Sequence, residues 1–290
     1  MLTSLLSLVA LAGVLAPAAA QTYTDCNPMQ QTGCPPNLAL GLANSFNFTD
    51  APIDTETVWN VTNGLIDSGE NGLAFTVRGK KQAPTVKSNF YIFFGSLEVV
   101  MRAAKGKGIV SSIFLQSDDL DEIDWEWLGG NNTHVQTNYY GKNHTESEGR
   151  SAWHKVDDPQ NKYHNYTITW SKDKIEWLID SAVVRTLNYA ESDGNGKYFP
   201  QTPMNIRVGN WDGGNSDAVG TRQWALQTAD ENARSDMSGA PYTQAVSYIK
   251  VTDAANNATS YTYGDKTGSW QSIKVAKTYV PVFLFSDQHH

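Results

Sequence analysis

The sequence predicts an all-β protein, a β-jelly roll sandwich of two curved antiparallel sheets. Many short segments alternate apolar and polar residues and are rich in β-branched and aromatic side chains, which is typical of strands with one buried face. Turn residues separate these segments, and a helical period is weak and confined to Ala225–Ala233. These observations favour a sandwich whose concave face could hold an extended ligand.

Nine segments carry the strand pattern, and two of them are expected to form a hairpin. The hairpin joins Tyr166–Trp170 to Ile175–Ile179 across Ser171–Asp173, and Asp180–Ser181 then turns the chain into the next strand. The predicted strands are Phe90–Met101, Ile109–Leu115, Glu122–Leu128, Val135–Tyr140, Tyr166–Trp170, Ile175–Ile179, Val183–Leu187, Ile206–Trp211 and Val246–Thr252.

The 290-residue chain divides into a leader, one domain and a short tail. Residues 1–20 run from an apolar stretch to Ala18–Ala20 and are expected to be a cleaved secretory signal peptide, whereas a membrane anchor would need about 20 apolar residues. Residues 21–275 contain no linker or repeat and are predicted to be a single catalytic domain. Residues 276–290 form a tail whose apolar run, Val280–Phe285, is too short to direct a lipid anchor. Membrane association is expected only if the natural form carries such an anchor.

Cysteine and asparagine usage supports a secreted protein. Cys26 and Cys34 are the only cysteines, and their close spacing favours one disulfide over a redox pair or metal ligands. The chain also has six Asn-X-Ser/Thr sites, each a candidate for N-glycosylation. These sites are Asn47, Asn60, Asn131, Asn143, Asn165 and Asn257.

Charge and histidine spacing exclude several partners. A net charge of −8 and the lack of a basic stripe argue against nucleic acid, whereas an acidic protein suits a neutral polysaccharide. The six histidines show no metal-ligand spacing, so no metal and no cofactor are expected.

The most informative stretch is Asp121–Glu126. On a strand, successive side chains point to opposite faces, so Glu122, Asp124 and Glu126 share one face while the intervening Ile123 and Trp125 share the other. A solvated acidic face is the alternative interpretation. The apolar back face and the apolar segment upstream favour a catalytic one.

Retaining glycoside cleavage requires two carboxyl groups beside the bond that breaks. One attacks the anomeric carbon, and the other protonates the leaving oxygen. Retaining enzymes hold these groups about 5 to 5.5 Å apart. Glu122 and Glu126, whose longer side chains can lean together, are assigned to the two covalent steps. Asp124 is assigned a supporting role, because three close carboxylates push their pKa values apart and leave one protonated.

The motif resembles the catalytic signature of glycoside hydrolase family 16, and the longer pattern resembles its fungal Crh branch of cell-wall transglycosylases, which have a concanavalin-like fold. The matching segments are Ser111–Ile113, Ser117–Gly130, Val135–Tyr140, Phe199–Met204, Arg207–Trp211 and Gly268–Ile273. The resemblance implies that Glu122 is the nucleophile and Glu126 the acid/base. It also implies that Gln136, Asn138, Tyr140 and Arg207 line the donor side of the cleft.

Aromatic residues near turns are the remaining candidates for sugar contact. Trp211 and Trp224 lie among Gly, Asn, Arg and Gln residues, and the apolar faces of sugar rings pack on such side chains. The expected function is transfer of a chitin-type β-1,4 donor to a β-glucan or chitin acceptor, with secretion to the cell wall. An endo-β-glucanase or chitinase-type hydrolase, a lectin-like module and a structural wall protein are the alternatives.

Overall fold

The computed structural model describes residues 23–145 and 149–278. The predicted signal peptide and residues 279–290 of the predicted tail lie outside this part of the chain. The described residues form eighteen strands: β1 (Asn37–Leu38), β2 (Ala43–Asn47), β3 (Trp59–Asn63), β4 (Ile66–Gly69), β5 (Gly72–Val77), β6 (Thr85–Ser88), β7 (Gly95–Arg102), β8 (Ile109–Ser117), β9 (Glu122–Leu128), β10 (His134–Tyr140), β11 (Ala152–Lys155), β12 (His164–Trp170), β13 (Lys174–Ile179), β14 (Ala182–Asn188), β15 (Met204–Asp212), β16 (Tyr242–Asp253), β17 (Ala258–Tyr263) and β18 (Ile273–Lys277). One α-helix, α1 (Val219–Leu226), and 3-10 turns at Tyr189–Glu191, Gly213–Asn215 and Trp270–Ser272 complete the elements.

Two large antiparallel sheets build the sandwich. The first has the order β11-β10-β9-β8-β15-β6-β3, with β9 near its middle. The second has the order β14-β13-β12-β7-β16-β5-β4, and β2 also pairs with β16. A small third sheet, β1-β17-β18, contributes Ala258, Tyr261 and Ile273 to the main hydrophobic core. The prediction of an all-β jelly roll is therefore confirmed.

The core lies between the two large sheets and fixes which face of β9 is free. Ile123, Trp125 and Trp127 point inward and are almost fully buried. The rings of Trp125 and Trp127 pack edge-on against Tyr166 of β12, with centroid distances of 5.5 and 4.5 Å. Because β9 alternates, this packing places its acidic side chains on the other face of the first sheet.

The predicted strand over Phe90–Met101 is wrong in its first half. Phe94 and Gly95 have positive φ values of 61° and 119°, which interrupt the strand, and a Cβ on Gly95 would meet the carbonyl oxygen of Thr252 at 1.9 Å. The chain before this break runs across to the first sheet, where Ile92 bridges Met204. The strand itself therefore begins at Gly95.

The predicted helical region is also displaced. The helix α1 ends at Leu226, and Gln227 adopts a left-handed conformation with a φ of 50° that terminates it. Beyond that point, the hydroxyl of Thr228 accepts a hydrogen bond from the backbone N–H of Asp230 at 3.2 Å, and the carboxylate of Asp230 accepts one from the backbone N–H of Asn232 at 2.9 Å. These local side-chain bonds compete with the backbone bonds of a helix. Only Ala225 and Leu226 of the predicted region are helical.

The N-terminal segment contacts the first sheet through Tyr23, which bonds to Gln116 of β8 and Arg207 of β15. A disulfide joins Cys26 to Cys34 across a Cα–Cα distance of 5.6 Å, as predicted. Within residues 23–145 and 149–278, no helix has the length and apolar character needed to cross a membrane. The last strand continues to Lys277, two residues beyond the predicted domain end.

Candidate active site

The acidic face of β9 lies between two polar strands in register. Glu122 stands opposite Gln116 of β8 and Tyr140 of β10. Next along the strand, Asp124 stands opposite Phe114 and Asn138, and Glu126 stands opposite Ser112 and Gln136. In a β-sheet directly paired residues project from the same face. The three carboxyl groups and their neighbours therefore form one surface, which we call the catalytic face.

The two predicted catalytic glutamates lie on the same side of the sheet and differ in exposure. Glu122 is 9% exposed, whereas Glu126 is only partly buried. The buried amide of Gln116 donates a hydrogen bond to a carboxylate oxygen of Glu122 at 2.7 Å. A donor at this distance favours the ionised form of Glu122, which is the form that a nucleophile requires.

Crowding of negative charge raises the pKa of the other two carboxyl groups. Burial, followed by the charges of Glu122 and Glu126, raises the pKa of Asp124 well above its ordinary value, and the charge of Arg185 opposes this shift. Burial, followed by the charge of Glu122, raises the pKa of Glu126 to about 8. Solvent that reaches the partly exposed Glu126 lessens this effect in an open cleft. The arrangement places Glu126, with its raised pKa, on the same surface as Glu122.

Asp124 is buried between the glutamates and is held from behind. Its backbone carbonyl accepts a hydrogen bond from the indole of Trp177 in the second sheet at 3.1 Å. A hydrogen bond between its side chain and Glu122 contributes to the raised pKa of Asp124. A neutral Asp124 can therefore donate to Glu122, which fits the predicted supporting role.

The predicted binding residues of β10 lie on the catalytic face. The oxygen of the Gln136 side chain accepts a hydrogen bond from the indole of Trp224 at 3.0 Å. The amide of Asn138 donates to the hydroxyl of Tyr140 at 2.9 Å. Helix α1 carries Trp224 to the Glu126 end of this face, where its side chain remains partly exposed. These three β10 residues and Trp224 stay predicted sugar contacts.

Two other predicted binding residues are covered by neighbouring groups. Arg207 is 2% exposed, because Tyr23 lies over its guanidinium at 4.3 Å and accepts a hydrogen bond from it through the backbone carbonyl at 2.9 Å. Trp211 is also buried, and its ring stacks on Trp224 at a centroid distance of 6.1 Å. In this structure Trp211 packs behind Trp224. Direct sugar contact by Arg207 and Trp211 stays a prediction.

The structure adds three residues that sequence reasoning missed. Gln116 is the last residue but one of β8, next to Ser117, and only its register opposite Glu122 reveals its role. Tyr23 stands near the predicted cleavage site and covers Arg207. Trp153, 42% exposed on β11, is paired with Gln136 and so belongs to the catalytic face. The four residues Ala152–Lys155 show no apolar–polar alternation, so the sequence carries no signal for this strand.

A cavity of about 180 Å³ lies beside this cleft, beneath the N-terminal segment. Its lining includes Tyr23, Lys87, Tyr91, Asp118 and Arg207.

In the described part of the chain, no group of three or more His, Cys, Asp or Glu side chains is arranged to hold a metal ion. Four sequon asparagines, Asn47, Asn60, Asn143 and Asn257, are exposed, whereas Asn131 and Asn165 are partly buried. Their glycosylation stays a prediction.

The site has two glutamates on one face of a strand in a β-sandwich. Glu122 accepts a hydrogen bond from Gln116, and Glu126 has a raised pKa. This arrangement is typical of an enzyme that cleaves glycosidic bonds. The chain matches the model of glycosyl hydrolases family 16 over residues 53–233. It is 48% identical to Crh-like protein 3 of Aspergillus fumigatus over 94% of this chain and 73% of that one. It is 42% identical to Congo red hypersensitive protein 1 of Saccharomyces cerevisiae over 86% of this chain and 47% of that one.

Solved structures agree with this assignment. A Crh5 transglycosylase in complex with NAG superposes with a TM-score of 0.80 at 49% identity, covering 87% of this chain and all of that one. A Bacillus licheniformis β-glucanase, at 22% identity, 74% and 99% coverage and a TM-score of 0.59, shares the fold. The protein therefore belongs to glycoside hydrolase family 16. Within that family it is a Crh-type enzyme of the glycosidase and transglycosylase class.

Proposed function

We propose that the protein is a retaining transglycosylase that cleaves a chitin-type β-1,4 donor and transfers it to a β-glucan or chitin acceptor, crosslinking the fungal cell wall. The observation that carries the proposal is the pairing of Glu122, held by the Gln116 amide, with Glu126, whose pKa is raised. The transglycosylase neighbour bound to NAG, the unit of chitin, supports the choice of donor.

The reaction has two steps. Glu122 attacks carbon 1 of the donor while Glu126 gives its proton to the glycosidic oxygen, so the old bond breaks and a glycosyl-enzyme forms. Glu126 is then ionised and removes a proton from an acceptor hydroxyl, whose oxygen attacks carbon 1 and releases Glu122. The proton returns to Glu126, and both catalytic groups regain their starting states.

Secretion and the cell wall belong to the same proposal. The predicted signal peptide, the disulfide between Cys26 and Cys34 and the exposed sequons suit an extracellular protein. The chain spans 47 to 73% of the length of the two curated relatives described above.

Mass spectrometry of the products tests the reaction. The enzyme is mixed with a chito-oligosaccharide donor and a fluorescently labelled β-1,3-glucan acceptor, and in parallel with a labelled chito-oligosaccharide. The proposal predicts a labelled product enlarged by N-acetylhexosamine units, which is absent with Glu122→Gln or Glu126→Gln. Shortened donor without a labelled product would identify a hydrolase. Saturable binding without turnover would identify a lectin-like module.

A further inference from the structure

Trp153 lies on the catalytic face at the outer edge of the first sheet. It is paired with Gln136, which is itself paired with Glu126, so the three residues form one cross-strand row. Two strand spacings of roughly 4.8 Å put the Cα of Trp153 about 10 Å from that of Glu126. At 42% exposure Trp153 leaves part of its ring open to solvent. A single exposed aromatic residue is common on protein surfaces, and it is the position of Trp153 in the row that contains Glu126 that relates it to the site.

A partly buried network of side chains holds the short strand β11 in place. His154, which follows Trp153, points to the opposite face, where one ring nitrogen lies 2.8 Å from the hydroxyl of Thr137. Its ring also stands edge-on to Trp125 at 6.3 Å. Because adjacent residues of a strand project to opposite faces, an inward His154 fixes an outward Trp153.

The half-buried cation of Arg185 completes this network from the second sheet. Its guanidinium donates to the hydroxyl and the carbonyl of Thr137 at 2.8 and 3.1 Å, and to the carbonyl of Arg150 just before β11 at 2.5 Å. It also lies over the ring of Trp177 at 4.7 Å. Removing a cation even partly from water is costly unless its hydrogen bonds are made, and here they are made to the backbone on either side of Trp153's strand, which holds that edge strand in place.

We propose that Trp153 is an aromatic platform for a sugar ring of the bound glycan, so that the glycan chain crosses β9, β10 and β11 away from the site of cleavage. The ligand is the apolar face of a pyranose ring in a β-linked chain, reached only by chains that extend outward from Glu126. This inference rests on the proposed glycan specificity of the cleft. It does not depend on whether transfer or hydrolysis follows.

Calorimetric binding to the inactive Glu122→Gln protein tests the platform. A series of chito-oligosaccharides from the disaccharide to the hexasaccharide is titrated into this protein and into versions that also carry Trp153→Ala or Trp153→Phe. A parallel series of β-1,3-glucan oligomers distinguishes the donor chain from the acceptor chain. We expect Trp153→Ala to weaken binding of the longest chains in one series by about tenfold, equivalent to roughly 1.4 kcal/mol, and binding of the disaccharide much less. Trp153→Phe should restore most of the lost affinity.

Val183→Ala is the matched control, because Val183 is an apolar residue, 53% exposed, on strand β14 of the second sheet. It should leave every affinity unchanged. No loss with Trp153→Ala in either series, or an equal loss at all chain lengths, would overturn the platform. Failure of the transfer assay with wild-type enzyme would overturn the proposed reaction while leaving this binding result in place.

Discussion

Replacing Gln116 with Leu should slow catalysis by removing the donor to Glu122. The Gln116 amide is fully buried and lies 2.7 Å from the Glu122 carboxylate. A hydrogen bond to a charged group contributes about 1.5–3 kcal/mol, so kcat/KM should fall roughly 10- to 150-fold at a pH near the acid limb. The same free energy favours protonation of Glu122 and should move the acid limb of the pH profile upward by about 1 to 2 pH units.

The assay is the pH dependence of kcat/KM for transfer, measured with the wild-type and Gln116→Leu proteins. Gln244→Leu is the matched control, because Gln244 is an equally buried glutamine on β16 of the second sheet. Thermal unfolding of both variants separates lost stability from lost catalysis. A Gln116→Leu enzyme with the wild-type rate and acid limb would refute the role given to this hydrogen bond.

Two further predictions concern proton supply and the N-terminal segment. Glu126 must be protonated to act first as an acid, and its raised pKa predicts that kcat/KM is retained at low pH and falls as the pH rises through a midpoint above the ordinary glutamate value and at most about 8. A fall centred near the ordinary value of 4.5 would contradict this. The double variant Cys26→Ser/Cys34→Ser opens a loop whose ends are 8 residues apart, so unfolding in urea should show a stability loss of about 2–3 kcal/mol, whereas an unchanged midpoint would argue against it.

Local alternation made the centre of the site predictable. The pattern over Glu122–Leu128 specifies both the strand and its two faces, because the side-chain period of a strand is a property of the backbone. The observed strand has the predicted bounds, with Trp125 in the core and Glu126 on the other face. The disulfide was predictable because only two cysteines are present.

Short strands were harder to predict, because their pairing depends on partners far along the chain. Thr85–Ser88 has only four residues and pairs with β15, more than a hundred positions away. Ala43–Asn47 is mostly exposed and pairs with β16, which lies about two hundred positions later in the chain. Neither segment has an apolar alternation long enough to distinguish a strand from a loop.

The outer parts of the site escaped prediction for the same reason. Gln116 and Trp153 acquire their roles from cross-strand register, which composition does not reveal. Trp211 stands among turn residues in the sequence, yet α1 folds over it and buries its ring behind Trp224. Whether an aromatic ring is covered or open is decided by the tertiary structure, not by its neighbours in the chain.

Identification of the residue that becomes glycosylated tests the central claim most directly. A Glu126→Ala enzyme lacks the base for the second step, and a donor with a leaving group that needs no proton can still react in the first step. Peptide fragmentation after such a reaction should place the sugar on Glu122, with no adduct in the Glu122→Gln/Glu126→Ala protein. A sugar attached to Asp124, or the absence of any adduct while the donor is consumed, would contradict the account.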